Sequence, residues 1–101
     1  MFPSGVAECF EREHGCTETE WLRALPGAVR QHPLQLSAPG QAQVAIADGV
    51  LQLRWTTLPP RQIALVRMPR LQVQFRFDGV PAPQRQAFMD YFDLYMLKGG
   101  G

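Results

Sequence analysis

The pair Asp48-Gly49 lies between two runs in which apolar and polar residues alternate, and nothing else in the chain constrains its fold as tightly. Asp-Gly is a preferred sequence for a two-residue type I′ hairpin. Such a turn pairs Ala47 with Val50, and so Ile46 with Leu51, Val44 with Leu53 and Ala42 with Trp55. Ala42, Val44, Ile46, Leu51, Leu53 and Trp55 then share one face, while Gln43, Ala45, Gln52 and Arg54 share the other. Turn chemistry and burial pattern select one register, because a one-residue slip would turn every apolar side chain to the wrong side.

Other strands follow from the same periodicity. Leu34-Gln35-Leu36 alternates ahead of the turn formers Ser37-Ala38-Pro39-Gly40. Arg70 to Phe77 alternates without exception, with Leu71, Val73, Phe75 and Phe77 inward and Arg70, Gln72, Gln74 and Arg76 outward. Between them, Pro59-Pro60 cannot donate to a ladder, so Thr56 to Arg61 is expected to leave the sheet. Gln62 to Met68, with Ile63, Ala64, Leu65 and Val66, has the apolar composition of a central strand covered on both faces. A turn of two or three residues at Pro69 fits equally well. Asp78-Gly79 ends the sheet.

Helices are expected at both ends. Ser4 can cap a first helix with Val6, Cys9 and Phe10 on one side and Glu8, Glu11, Arg12 and Glu13 on the other, stopped by Gly15. Thr17 and Glu20 form a T-x-x-E capping box, with Cys16 and Trp21 placed as its hydrophobic staple, and open a second helix that ends at Pro26-Gly27. From Pro81 and Pro83 a helix runs to Lys98. Its Phe88, Met89, Tyr91, Phe92, Tyr95 and Met96 form a wide arc for the sheet, leaving Leu94 and Leu97 outside with Asp90 and Asp93.

The fold expected is α+β in one domain over 1–101: a helical segment over 1–27, an antiparallel sheet of four to five strands over 28–79, a long helix over 81–98 packed on one sheet face, and a glycine tail over 99–101. At 101 residues and 46% hydrophobic, such a chain can bury roughly 65% of its extended surface in one core without staples. No apolar run approaches the ~20 residues of a membrane span, and two cysteines make no disulfide framework. A cytoplasmic protein without a membrane association is expected.

Charge is sorted along the chain. Residues 1–25 carry five Glu against Arg12 and Arg23, residues 26–87 seven Arg against Asp48 and Asp78, and residues 88–101 Asp90 and Asp93 against Lys98, giving −3, +5 and −1. Three kinds of function are compatible with this pattern. No G-x-S-x-G, phosphate-cradling glycine loop or His-Glu metal pair is present, so catalysis would need dispersed residues, and no catalytic residue or cofactor is assigned. An outward face with Arg54, Arg70, Arg76, Gln72 and Gln74 could grip an anionic ligand or a nucleic-acid backbone. Nucleic acid is not the expected partner, because every strand aromatic falls on the inner face, away from stacking. The preferred reading is a non-catalytic interaction or assembly module, with a protein partner or a second copy docked on Leu94, Leu97, Asp90 and Asp93. Cys9, His14 and Cys16 form a minor metal or redox candidate. Their C-x4-H-x-C spacing supplies three soft ligands where structural zinc takes four, and contains no C-x-x-C, so no metal is assigned.

Overall fold

The computed structural model describes residues 6–100. In chain order these form β1 (Cys9–His14), α1 (Glu18–Ala28), β2 (Leu34–Ala38), β3 (Gln41–Ile46), β4 (Gly49–Ile63), β5 (Val66–Asp78) and α2 (Ala82–Tyr95), with a π-helical turn over Met96–Gly100. The five strands make one antiparallel sheet in the order β1-β5-β4-β3-β2. Both helices cover one face. The architecture is therefore α+β with a C-terminal helix, as expected, but with one N-terminal helix and not two.

The segment expected as the first helix is the edge strand β1, and the Ser4 cap lies outside the described residues. The reason is cross-strand pairing. In a strand, Phe10 points inward and stacks on Phe75 with ring centroids 4.7 Å apart, and the Arg12 guanidinium lies over both rings on its way to Asp93. Glu11 and Glu13 point outward, where Gln72, Gln74 and Arg70 donate to their carboxylates. Every polar residue at the centre of the strand gains an opposite partner, which a lone amphipathic turn would not supply.

The capping box forms as read. Glu20 N donates to Thr17 Oγ1 at 3.1 Å, and Thr17 N donates to Glu20 Oε1 at 2.8 Å. α1 then overruns Pro26-Gly27, because Trp21, Ala24, Leu25 and Ala28 keep a helical apolar spacing into the core. It stops at Arg30, which takes the left-handed φ of 56° usually left to glycine.

The hairpin joining β3 and β4 keeps its faces and loses its register. Ile46 pairs with Gly49, Val44 with Leu51 and Ala42 with Leu53. The turn residues are Ala47 and Asp48, and it is Ala47 that carries the positive φ, 53°. A slip of two residues leaves each side chain on its expected side, so Ala42, Val44, Ile46, Leu51, Leu53 and Trp55 are all buried. Replacing Ala47 by Gly should relieve left-handed strain at that position and stabilise the protein by about 0.5–1 kcal/mol, read as a raised denaturant midpoint with unchanged slope. A less stable Ala47→Gly protein would overturn this turn assignment.

The core lies between helices and sheet. Phe92 stands edge-on to Phe75 at 5.7 Å and to Trp21 at 6.0 Å, and Trp21 lies 5.6 Å from Trp55, whose Nε1 donates to Glu18 Oε2 at 2.7 Å. Among the described residues no buried polar or charged residue interrupts it.

Candidate functional site

The largest departure from expectation is also a strongly exposed segment among the described residues. β4 does not end at Pro59-Pro60 but runs on to Ile63, paired with β5 on both sides of a bulge. Leu58 faces Arg70 and Arg61 faces Met68, so Pro59 and Pro60 stand opposite Pro69 alone, a two-against-one bulge. None of the three prolines has an N–H to offer, and the bulge places all of them where the ladder lapses. Past it the pairs Gln62–Arg67 and Ile63–Val66 close on Ala64-Leu65, with Ala64 at φ 54°. β3 accompanies β4 only to Arg54, and β1 accompanies β5 only from Leu71. The pair therefore leaves the body as an arm, Leu58 to Arg70, roughly 17 Å long at ~3.3 Å per residue.

The segment expected to be a central strand covered on both faces is the tip of this arm. Leu65 is 97% exposed, Ile63 and Val66 are each 58% exposed, and Met68 is 46% exposed. Pairing puts Arg61, Ile63, Val66 and Met68 on one side of the ribbon. From Gly49 to Phe77 the chain contains no acidic residue, so the cations Arg61, Arg67 and Arg70 frame the apolar tip without a carboxylate of their own strands. Sequence reasoning missed this surface. A signal existed in the repeated Ile-Ala of Ile46-Ala47 and Ile63-Ala64, since both pairs open a two-residue turn with alanine in the left-handed region.

The Arg/Gln face is assembled on the outer side of the sheet, but β1 brings acids to it. Arg70 makes a double contact with Glu13, both nitrogens at 2.9 Å, and Arg61 lies 3.9 Å from the same carboxylate. This ion pair holds the Glu13 carboxyl below its usual range and raises the Arg70 guanidinium. Gln72 and Gln74 donate to Glu11, and Arg76 Nε donates to Asp78 at 3.2 Å. Of the residues expected to grip an anion, Arg54 alone has no carboxylate partner among the described residues; it shares a cleft of about 150 Å³ with Gln52, Gln74 and Arg76.

Leu94 on α2 and Leu97 in the π-helical turn that follows are exposed at 48% and 83%, as expected of the outer side of the C-terminal helix. Their acidic flank is partly engaged: Asp93 binds Arg12 of β1, and Asp90 accepts from Gln86.

The minor metal or redox candidate is divided. Cys9 lies exposed on the outer side of β1 and Cys16 is buried, and both are free thiols. His14 and Cys16 meet at the other end of β1 around a cavity of about 120 Å³, lined also by Gly15, Trp21 and Met96. Burial pushes the Cys16 thiol up, with Glu20 adding to the shift, and pushes the His14 imidazole down. Among the described residues no group of three His, Cys, Asp or Glu could hold a metal, and no helix is long and apolar enough to cross a membrane.

The His14 shift has a measurable consequence. A histidine whose native pKa lies below its unfolded value costs nothing above about pH 6.5 and destabilises the fold as pH falls through that value toward the native one. Arg12 adds to the depression and Asp93 opposes it. Melting temperature should therefore fall between pH 7.5 and 5, and His14→Gln should flatten that part of the curve. An unchanged slope in the variant would remove His14 as the cause.

No protein-family profile, curated protein or solved structure matches this chain.

Proposed function

We propose that the protein is a non-catalytic interaction or assembly module whose contact element is the β4–β5 arm. The observation that carries this reading is the exposure of Ile63, Leu65, Val66 and Met68 together at the end of a projecting ribbon. Scattered apolar residues are normal on a surface, but a cluster rimmed by cations on a protruding element is the composition of a docking surface. Its partner is a protein surface that offers apolar contact with acidic residues around it. The Leu94/Leu97 stripe with Asp90 is a surface of that kind on the same chain, which supports self-association, arm to α2, as the form of assembly.

Light scattering at tens of micromolar tests this on three proteins: the parent, Leu65→Glu with Val66→Glu, and Leu94→Glu with Leu97→Glu. All four positions are solvent-exposed, so each double variant should fold with a stability within about 1 kcal/mol of the parent. The parent should run above its 11.4 kDa chain mass and both variants at that mass. A monomeric parent would end the self-association reading and leave an external protein partner for the arm.

A further inference from the structure

At the end of β4 opposite the arm, the link after α1, the turn between β3 and β4, and α2 surround a cleft of about 330 Å³. Neither the fold nor the arm gives it a task. Its floor is apolar, since Val29, Ile46 and Phe88 are the buried side of the lining. Its rim carries Arg30, Gln84 and Ala87, all exposed. An apolar floor with a few polar groups at the mouth is how small-molecule sites are built, and this volume lies at the lower end of their range.

The charge at the cleft has one sign. No acidic side chain lines it, and Arg30 has no carboxylate partner among the described residues. The Arg30 guanidinium lies over the Tyr91 ring, 3.9 Å from its centroid. That stack fixes the plane of the cation and leaves its edge, where the N–H groups are, to a planar acceptor. The backbone agrees. Arg30 holds a left-handed φ of 56°, which glycine adopts freely and arginine rarely. Glycine would end α1 there with less strain but would bring no cation to the cleft. Ala47, also in the lining, is left-handed too, and strained positions of this kind gather at ligand sites.

We propose that this cleft binds a small aromatic carboxylate, its ring against Val29, Ile46 and Phe88 and its carboxylate on the Arg30 guanidinium. A single cation without an acidic neighbour in the lining suits a single negative charge, and the planar fork of arginine matches the two oxygens of a carboxylate. The ligand body is flat because its walls are rings: His32 stands edge-on to Phe88 with centroids 5.4 Å apart, and Tyr91 lies beneath the cation. The volume admits a body of about two fused rings.

The probe is 2-naphthoate, with 2-naphthamide as its uncharged match. Each is titrated into the parent and into the Leu65→Glu, Val66→Glu protein, which lacks the apolar tip of the arm as a competing surface. Binding is followed by the NMR signals of the Ile46, Ala47 and Ala87 methyl groups. In both proteins naphthoate should shift these signals saturably, with a Kd of about 1 mM or tighter, as suits a ligand of this size. Naphthamide should bind roughly tenfold more weakly. Arg30→Gln, at an exposed position, should lower naphthoate affinity by roughly the same factor and leave naphthamide affinity unchanged. Ala87→Leu, also at an exposed position, fills the mouth and should abolish binding of both. Equal naphthoate affinity in parent and Arg30→Gln proteins would leave the cation without a role and overturn the proposal. Unweakened binding to Ala87→Leu, binding to the parent alone, or the absence of a saturable shift at ten times the expected Kd would overturn it as well. None of these outcomes bears on self-association through the arm, which light scattering decides.

Discussion

Truncating Phe92 to Ala should lower the stability of this protein by about 3–5 kcal/mol. Phe92 is fully buried and touches the three aromatic groups that join the layers: Phe75 of the sheet, Trp21 of α1 and Phe88 of its own helix. The backbone on either side belongs to helix and strand and has little freedom to collapse into the space, so the cavity penalty adds to the lost transfer energy. For a small domain whose total stability is of order 5–15 kcal/mol, the variant should melt far below the parent. Its denaturation should be followed by Trp fluorescence and by circular dichroism together. An unchanged melting temperature would show that α2 is not the cover of the core.

The second large effect is expected at Gly49, for a reason that the turn motif does not suggest. Gly49 has no left-handed backbone. It faces Ile46 across the hairpin, and on its other side the end of β5 passes so close that an added Cβ would meet the Asp78 carbonyl oxygen and come within 2.5 Å of the Gly79 carbonyl. Those atoms are backbone and cannot rotate away. Gly49→Ala should therefore cost about 2–3 kcal/mol through overpacking, and Gly49→Val more. Paired with the stabilising Ala47→Gly, the result has opposite signs two residues apart, whereas a turn centred on Asp48-Gly49 would make both substitutions destabilising. A Gly49→Ala protein as stable as the parent, in chemical denaturation, would show that the end of β5 does not press on this position.

How much of this was legible in the sequence depends on whether a contact leaves a period behind it. The inward faces of β3, β4 and β5 were readable because six apolar residues alternate on either side of one turn, and a two-residue slip preserves faces. The α2 arc was readable for the same kind of reason. β1 was not, since Cys9-Phe10-Glu11-Arg12-Glu13-His14 is polar on both sides in hydropathy; its strand character lies in charge complementarity to Gln72, Gln74 and Arg70, which only the pairing reveals. The arm was hidden by an ambiguity of composition. Ile63-Ala64-Leu65-Val66 reads the same whether it is covered on both faces or exposed at a tip, and the prolines that argue against a ladder are accommodated by a bulge. Met96 comes to His14 and Cys16 from the opposite end of the chain, so no spacing could have joined it to them.

The position of β1 at the edge beside β5 has a consequence for the order in which the chain can assemble. From β2 to β5 each strand pairs with the next in sequence, so these pairings close short loops and can form as the polypeptide emerges from a ribosome. β1 is synthesised first, yet it pairs with Leu71–Arg76 and must wait for nearly all of the sheet. Until then Phe10 has no ring to stack on and Glu11 and Glu13 have no opposite donors. The acidic character of that early segment keeps it hydrated during the wait, and its late docking closes the β5 edge that would otherwise be open to the strands of neighbouring nascent chains.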